Sequence, residues 1–160
     1  MKKIVALGMI TMLCITSTAQ AAACYSAREF EAEQGLRIHS ELMVIGLTCA
    51  KTPGGQQLYA DYSRFTQKNS GLIAQYESDI ISYYRSKGTP QPEKQLHTLR
   101  TNLANKISQQ AIKMSTGSFC KHFGPRIQKA LSMTPSKIRQ WAQHVWPDTP
   151  TTEPVCHRGR

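Results

Sequence analysis

The chain has 160 residues, 40% of them hydrophobic, and 20 lysines and arginines against 10 acids give a formal net charge of +10. That length suits one domain with a single sizeable core, and no Gly/Ser-rich linker or internal repeat divides it. Beyond the first residues, no segment is long and apolar enough to cross a bilayer, which takes roughly 20 apolar residues.

The chain opens on Met1-Lys2-Lys3, followed by an apolar stretch from Ile4 to Ile15 and then Thr16-Ser17-Thr18 and Ala19-Gln20-Ala21. Charged, apolar, small is the order of a secretory signal peptide, with cleavage expected after Ala21. The apolar stretch is too short for a membrane anchor. Cys14 lies inside it rather than after a lipoprotein box. The expected division is therefore a signal peptide over 1–21, a helical domain over 22–146 and an extended tail over 147–160.

The first expected helix runs from Ser26 to Cys49. Ser26 can cap it, and Glu29, Glu31 and Glu33 suit the positive end of its dipole. The run from Leu42 to Leu47 is apolar on all sides, so this end should be deeply buried. Pro53-Gly54-Gly55 makes a turn. A second helix spans Gln56 to Ser86, with Leu58, Tyr62, Phe65, Leu72, Tyr76, Ile80 and Tyr83 at helical spacing. Asn69 falls on that stripe, either as a buried amide or at a bend. Gly88-Thr89-Pro90-Gln91-Pro92 ends the segment. A third helix covers Glu93 to Ser115, interrupted at Gly117. A shorter one covers Ser118 to Leu131, with a kink at Gly124-Pro125. Thr134-Pro135 reads as N-cap plus first-turn proline for a last helix from Pro135 to Val145. The fold class is all-α, an antiparallel bundle of four to five helices.

With Cys14 lost, Cys24, Cys49, Cys120 and Cys156 remain, an even number that favours disulfides in an exported chain. Cys24 and Cys49 stand at opposite ends of one helix, about 37 Å apart at 1.5 Å per residue. A disulfide needs Cα atoms about 5.5–6 Å apart, so these two cannot pair. Short turns make successive helices antiparallel. The third helix then delivers Cys120 to the Cys49 end, and the last helices bring Cys156 to Cys24. The expected bridges are Cys49–Cys120 and Cys24–Cys156.

Charge is uneven. Cys24 to Tyr84 carries five basic and seven acidic residues, whereas Arg85 to Arg160 carries thirteen basic and three acidic. Between Glu93 and Asp148 there is no acid at all. A one-sign stretch favours an anionic partner, and Lys106, Lys113, Lys121, Arg126, Lys129, Lys137 and Arg139 are its expected contacts. Outside a cytoplasm the partners are anionic lipid, acidic glycan or another protein, with nucleic acid the least favoured. The competing reading is a solvated face that serves solubility.

Catalytic motifs are missing from the sequence. There is no His-Glu-x-x-His, Gly-x-Ser-x-Gly or phosphate-binding loop, and no histidines stand at i and i+4. Glu29, Glu31 and Glu33 are two apart and do not converge as paired carboxylates. Cys120-Lys121-His122 and Cys156-His157 are adjacent soft ligands, but no Cys-x-x-Cys exists, so disulfides outrank a metal site. No cofactor or metal is expected. The helix-two tyrosines read as core, while Trp146, before Pro147, reads as exposed.

The segment His39-Ser40-Glu41-Leu42-Met43-Val44-Ile45-Gly46-Leu47-Thr48-Cys49 resembles one in a group of small exported proteobacterial proteins of unassigned function. Tyr62-Ser63-Arg64-Phe65, then Thr101, Ala104, Asn105 and Ser108, and Phe119-Cys120 complete the resemblance, which spans the first three helices. It implies a role for Thr101, Asn105 and Ser108, on one helical face, either as a polar seam between helices or as a small ligand site. The expectation from the whole sequence is a periplasmic or secreted, non-catalytic binding or scaffold protein with a basic face. A periplasmic enzyme with a polar inter-helix site, or a secreted effector binding another protein, are the alternatives.

Overall fold

The computed structural model describes residues 24–146 and 149–156. The expected signal peptide with Cys14, the pair Pro147-Asp148, and His157 to Arg160 lie outside the described residues. Seven helices follow in order: α1 (Ala27–Cys49), α2 (Gly55–Lys68), α3 (Ser70–Ser86), α4 (Pro92–Lys113), α5 (Thr116–Phe123), α6 (Pro125–Ser132) and α7 (Pro135–Ala142).

α1 starts where a reciprocal cap fixes it. The Ser26 hydroxyl accepts from the Glu29 amide, and the Glu29 carboxylate accepts from the Ser26 amide at 2.6 Å. This motif satisfies two of the helix's orphan donors. α1 is also the axis of the fold, because each of α2 to α7 packs against it. It is accordingly buried nearly all round: Ala32, Glu33, Gln34, Gly35 and Leu36 are inaccessible in succession. The expected apolar run ends in the buried Val44, Ile45 and Cys49, although Leu47 is exposed.

The expected second helix is divided. Asn69 is buried, its Nδ2 donates to the Phe65 carbonyl at 2.9 Å, and its backbone leaves the helical region at φ −112°, ψ 16°. A side chain that bonds its own preceding turn competes with the ladder and bends the rod there. Asn69 is therefore both a buried amide and the bend. α5 and α6 similarly form one rod broken at Gly124-Pro125, so the seven helices make five rods. The break before α5 lies at Met114–Ser115, not at Gly117. The Ser115 hydroxyl caps α5 by accepting from the Ser118 amide at 3.2 Å, which places Gly117 inside the helix.

Both disulfides form as the helix directions require. Cys49 and Cys120 have Cα atoms 5.6 Å apart, and Cys24 and Cys156 have theirs 5.0 Å apart. The second holds the tail beside the start of α1. There the Tyr25 amide donates to the Pro154 carbonyl at 2.7 Å and the Cys156 amide to the Tyr25 carbonyl at 2.8 Å. Among the described residues this is the only strand-like pairing, and no helix is long and apolar enough to cross a membrane.

The core depends on close approach at Gly35, where the Tyr76 ring lies over the α1 backbone. A Cβ there would stand 2.1 Å from Tyr76 Cε2. Tyr76 cannot readily swing aside, because it is buried and its hydroxyl donates to Glu31 at 3.2 Å. Gly35→Ala should therefore lower the free energy of urea unfolding by about 1–3 kcal/mol through overpacking. An unchanged unfolding midpoint would show that α1 and α3 separate freely.

Candidate functional site

The charged side chains divide by type. Every described arginine pairs with one carboxylate: Arg28 with Asp79, Arg37 with Glu33, Arg64 with Asp61, Arg85 with Glu93, Arg100 with Glu77, Arg126 with Glu41 and Arg139 with Glu31. The planar guanidinium suits such fixed pairing. Among the described residues no lysine lies within ion-pair distance of a carboxylate. Apart from Glu29, the acids of α1 to α3 are thus neutralised from within, and the unpaired surface cations are lysines.

That division corrects the expected contact set. Arg126 bonds Glu41 and lies 4.7 Å over the Phe123 ring. Burial pushes the Glu41 carboxyl up, while the Arg126 guanidinium holds it down. Arg139 donates to Glu31 and Gln75, each at 2.7 Å. Both arginines are tied into the fold. Lys106 and Lys113 on α4, Lys121 on α5, Lys129 on α6 and Lys137 on α7 are exposed. They stand on four helices, so the basic surface is a property of that half of the bundle rather than of one helical stripe.

Thr101 and Asn105 face solvent and Ser108 is half-buried. No side-chain hydrogen bond links any of the three to another helix among the described residues, so they are not a polar seam. The face they share points outward because Leu96, Leu99 and Leu103 take the inward positions of α4.

The polar contacts that do cross the bundle involve Glu31 and Glu33. Only Glu29 serves the first turn of α1; the other two are not dipole compensators. Glu31 accepts from the Tyr76 hydroxyl, from Arg139 and from Gln143 Nε2 at 2.7 Å, which fastens α7 to α1 and α3. Glu31, Arg139 and Gln143, with Arg28, Asp79 and Phe30, line an open cleft of about 750 Å³. Both carboxylates in it are held by arginines, so an acid–base step there would first have to release one of them. Burial, then the neighbouring Glu31, pushes the Tyr76 phenol above its ordinary value.

Glu33, fully buried, fastens the tail. It accepts from the Thr152 amide at 3.0 Å and hydroxyl at 2.5 Å, and from Arg37 at 3.3 Å. Arg37 also donates to the Pro150 carbonyl at 3.0 Å. Sequence reasoning missed this latch. The signal available was a carboxylate and an arginine four residues apart inside a helix that is otherwise apolar at its far end.

His39 is buried as well. Its Nε2 faces the Thr66 hydroxyl at 3.3 Å and the Tyr62 hydroxyl at 3.4 Å, while Nδ1 has no partner. Burial, then the Arg100 charge, pushes its pKa down to about 4. Among the described residues no three potential ligands gather for a metal, and Cys120 and Cys156 are engaged in disulfides. Tyr76 and Tyr83 are core, as their spacing predicts, and Tyr59 is exposed. Trp146 is exposed beside Val145, and Trp141 is half-buried. The chain matches no family model, no curated protein and no solved structure.

Proposed function

We propose that this is an exported, non-catalytic binding protein of the bacterial envelope whose lysine surface meets an anionic partner. One observation carries the reading. The arginines neutralise the carboxylates inside the fold, and Lys106, Lys113, Lys121, Lys129 and Lys137 stay exposed with no carboxylate at ion-pair distance. A surface that needed charge only for solubility would gain equally from mixed signs. The charged, apolar, small order of the leader and the two disulfides support export. The polar cleft beneath α7 is the alternative seat of function. Trp146 and Val145, exposed together, favour a second reading in which the partner is another protein.

Binding to anionic vesicles or an acidic polysaccharide should fall steeply with salt. Each Lys→Gln change among the five should weaken it roughly fivefold, about 1 kcal/mol per lysine near an anionic surface. Affinity that is equal at low and high salt would sink the reading.

A further inference from the structure

The end of the bundle closed by Cys49–Cys120 gathers the last turns of α1, the first turns of α2, the last turn of α4 and all of α5. Three large apolar side chains are exposed there: Leu47 at 54%, Tyr59 at 44% and Ile112 at 73%. Lys51, Lys113 and Lys121 are exposed on the same end. Its two carboxylates are taken, Glu41 by Arg126 and Asp61 by Arg64. Single exposed apolar residues are ordinary on any protein. Three on one end, accompanied by cations and no free acid, match what an anionic bilayer interface binds.

We propose that this end docks on a bilayer containing anionic phospholipid. Leu47, Tyr59 and Ile112 enter the boundary between headgroups and acyl chains, and the three lysines meet the headgroups. The inference rests on the anionic-partner reading and names both the partner and the end that faces it. An acidic glycan would satisfy the lysines but offer no apolar layer to Ile112 and Leu47. Lysine stems can lie along the apolar boundary while their ammonium groups stay in the headgroup region. The opposite end is less suited, since Glu29 and Glu153 stand there beside the tail. Trp146 lies toward that opposite end, because α7 runs down to Glu31 and the tail continues to Cys24.

The test uses vesicles of phosphatidylcholine with and without phosphatidylglycerol, and soluble dextran sulfate as an anion without a bilayer. The wild-type protein should bind the anionic vesicles with no change in tryptophan emission. Ile112→Trp should bind them with a blue shift. Ile112→Ser and Leu47→Ser should each weaken vesicle binding roughly tenfold and leave dextran sulfate binding within about twofold. Both sites are exposed, and circular dichroism checks that the fold is kept. Vesicle binding unaffected by Ile112→Ser, or no blue shift from Ile112→Trp, overturns the inference. Binding to dextran sulfate without binding to vesicles overturns it while leaving the anionic-partner reading standing. Binding to neither overturns both.

Discussion

Glu33→Ala should cost about 3–5 kcal/mol of unfolding free energy and release the tail, the usual result of removing one partner of a buried pair. The carboxylate has no exposure at all, and it is the common acceptor for three donors: the Thr152 amide, the Thr152 hydroxyl and the Arg37 guanidinium. Removing it leaves a cation that burial already disfavours, as the lowered pKa of Arg37 reflects. The Gln34 side chain at 3.0 Å and the Pro150 carbonyl keep Arg37 partly satisfied, which favours the lower half of that range. Glu33→Gln should be milder, because its amide oxygen can still accept from Thr152. Urea unfolding measures the cost, and limited proteolysis measures the tail. Cleavage after tail release should be visible only on a reducing gel, because Cys24–Cys156 still tethers the fragment. A loss below about 1 kcal/mol, with an unchanged proteolysis rate, would mean that the disulfide alone holds the tail.

Parts of this architecture were legible because chain direction is a strong constraint. One long helix already forbids Cys24 from meeting Cys49, and the antiparallel order of the others leaves one pairing. The cap at Ser26 and the first-turn proline of α7 were legible because caps act over three or four residues. The central position of α1 was not. A helix buried on every side should look apolar on every side, yet this one carries Glu33, Gln34, His39 and Ser40 inward. Glu33 is compensated by Thr152 and His39 by Thr66 and Tyr62, partners on other parts of the chain that periodicity within α1 cannot anticipate. The division between arginine and lysine was hidden for the same reason. Arg126 meets Glu41 across 85 positions and Arg139 meets Glu31 across 108. Sequence proximity showed only that the two halves of the chain differ in charge, and the fold brings acids of the first half to arginines of the second.

Acidification should destabilise the protein through His39 by about 3 kcal/mol between pH 7 and pH 4. The folded pKa of about 4 lies below the ordinary 6.5, so the unfolded chain binds the proton more readily. The histidine's contribution is therefore complete above pH 6.5, falls progressively as pH drops through the window from 6.5 to 4, and is flat below it. Its cause is geometric. His39 is 5% exposed, and no carboxylate is bonded to either ring nitrogen. The charged group that bears on it is Arg100 of α4, whose guanidinium repels an imidazolium even though it is paired with Glu77 of α3. The hydroxyls of Tyr62 and Thr66 on α2 can accept from a ring N–H, which stabilises either form too little to offset burial. The carboxylate pairs elsewhere also weaken in acid, so the diagnostic quantity is the difference between the wild type and His39→Gln, in which those terms cancel. The substitution should cost stability at pH 7, where the neutral imidazole fills its site, and the wild type should lose that advantage by pH 4. Parallel stability curves across the range would show that the imidazole is protonated without penalty, and that the space between α1, α2 and α4 admits water.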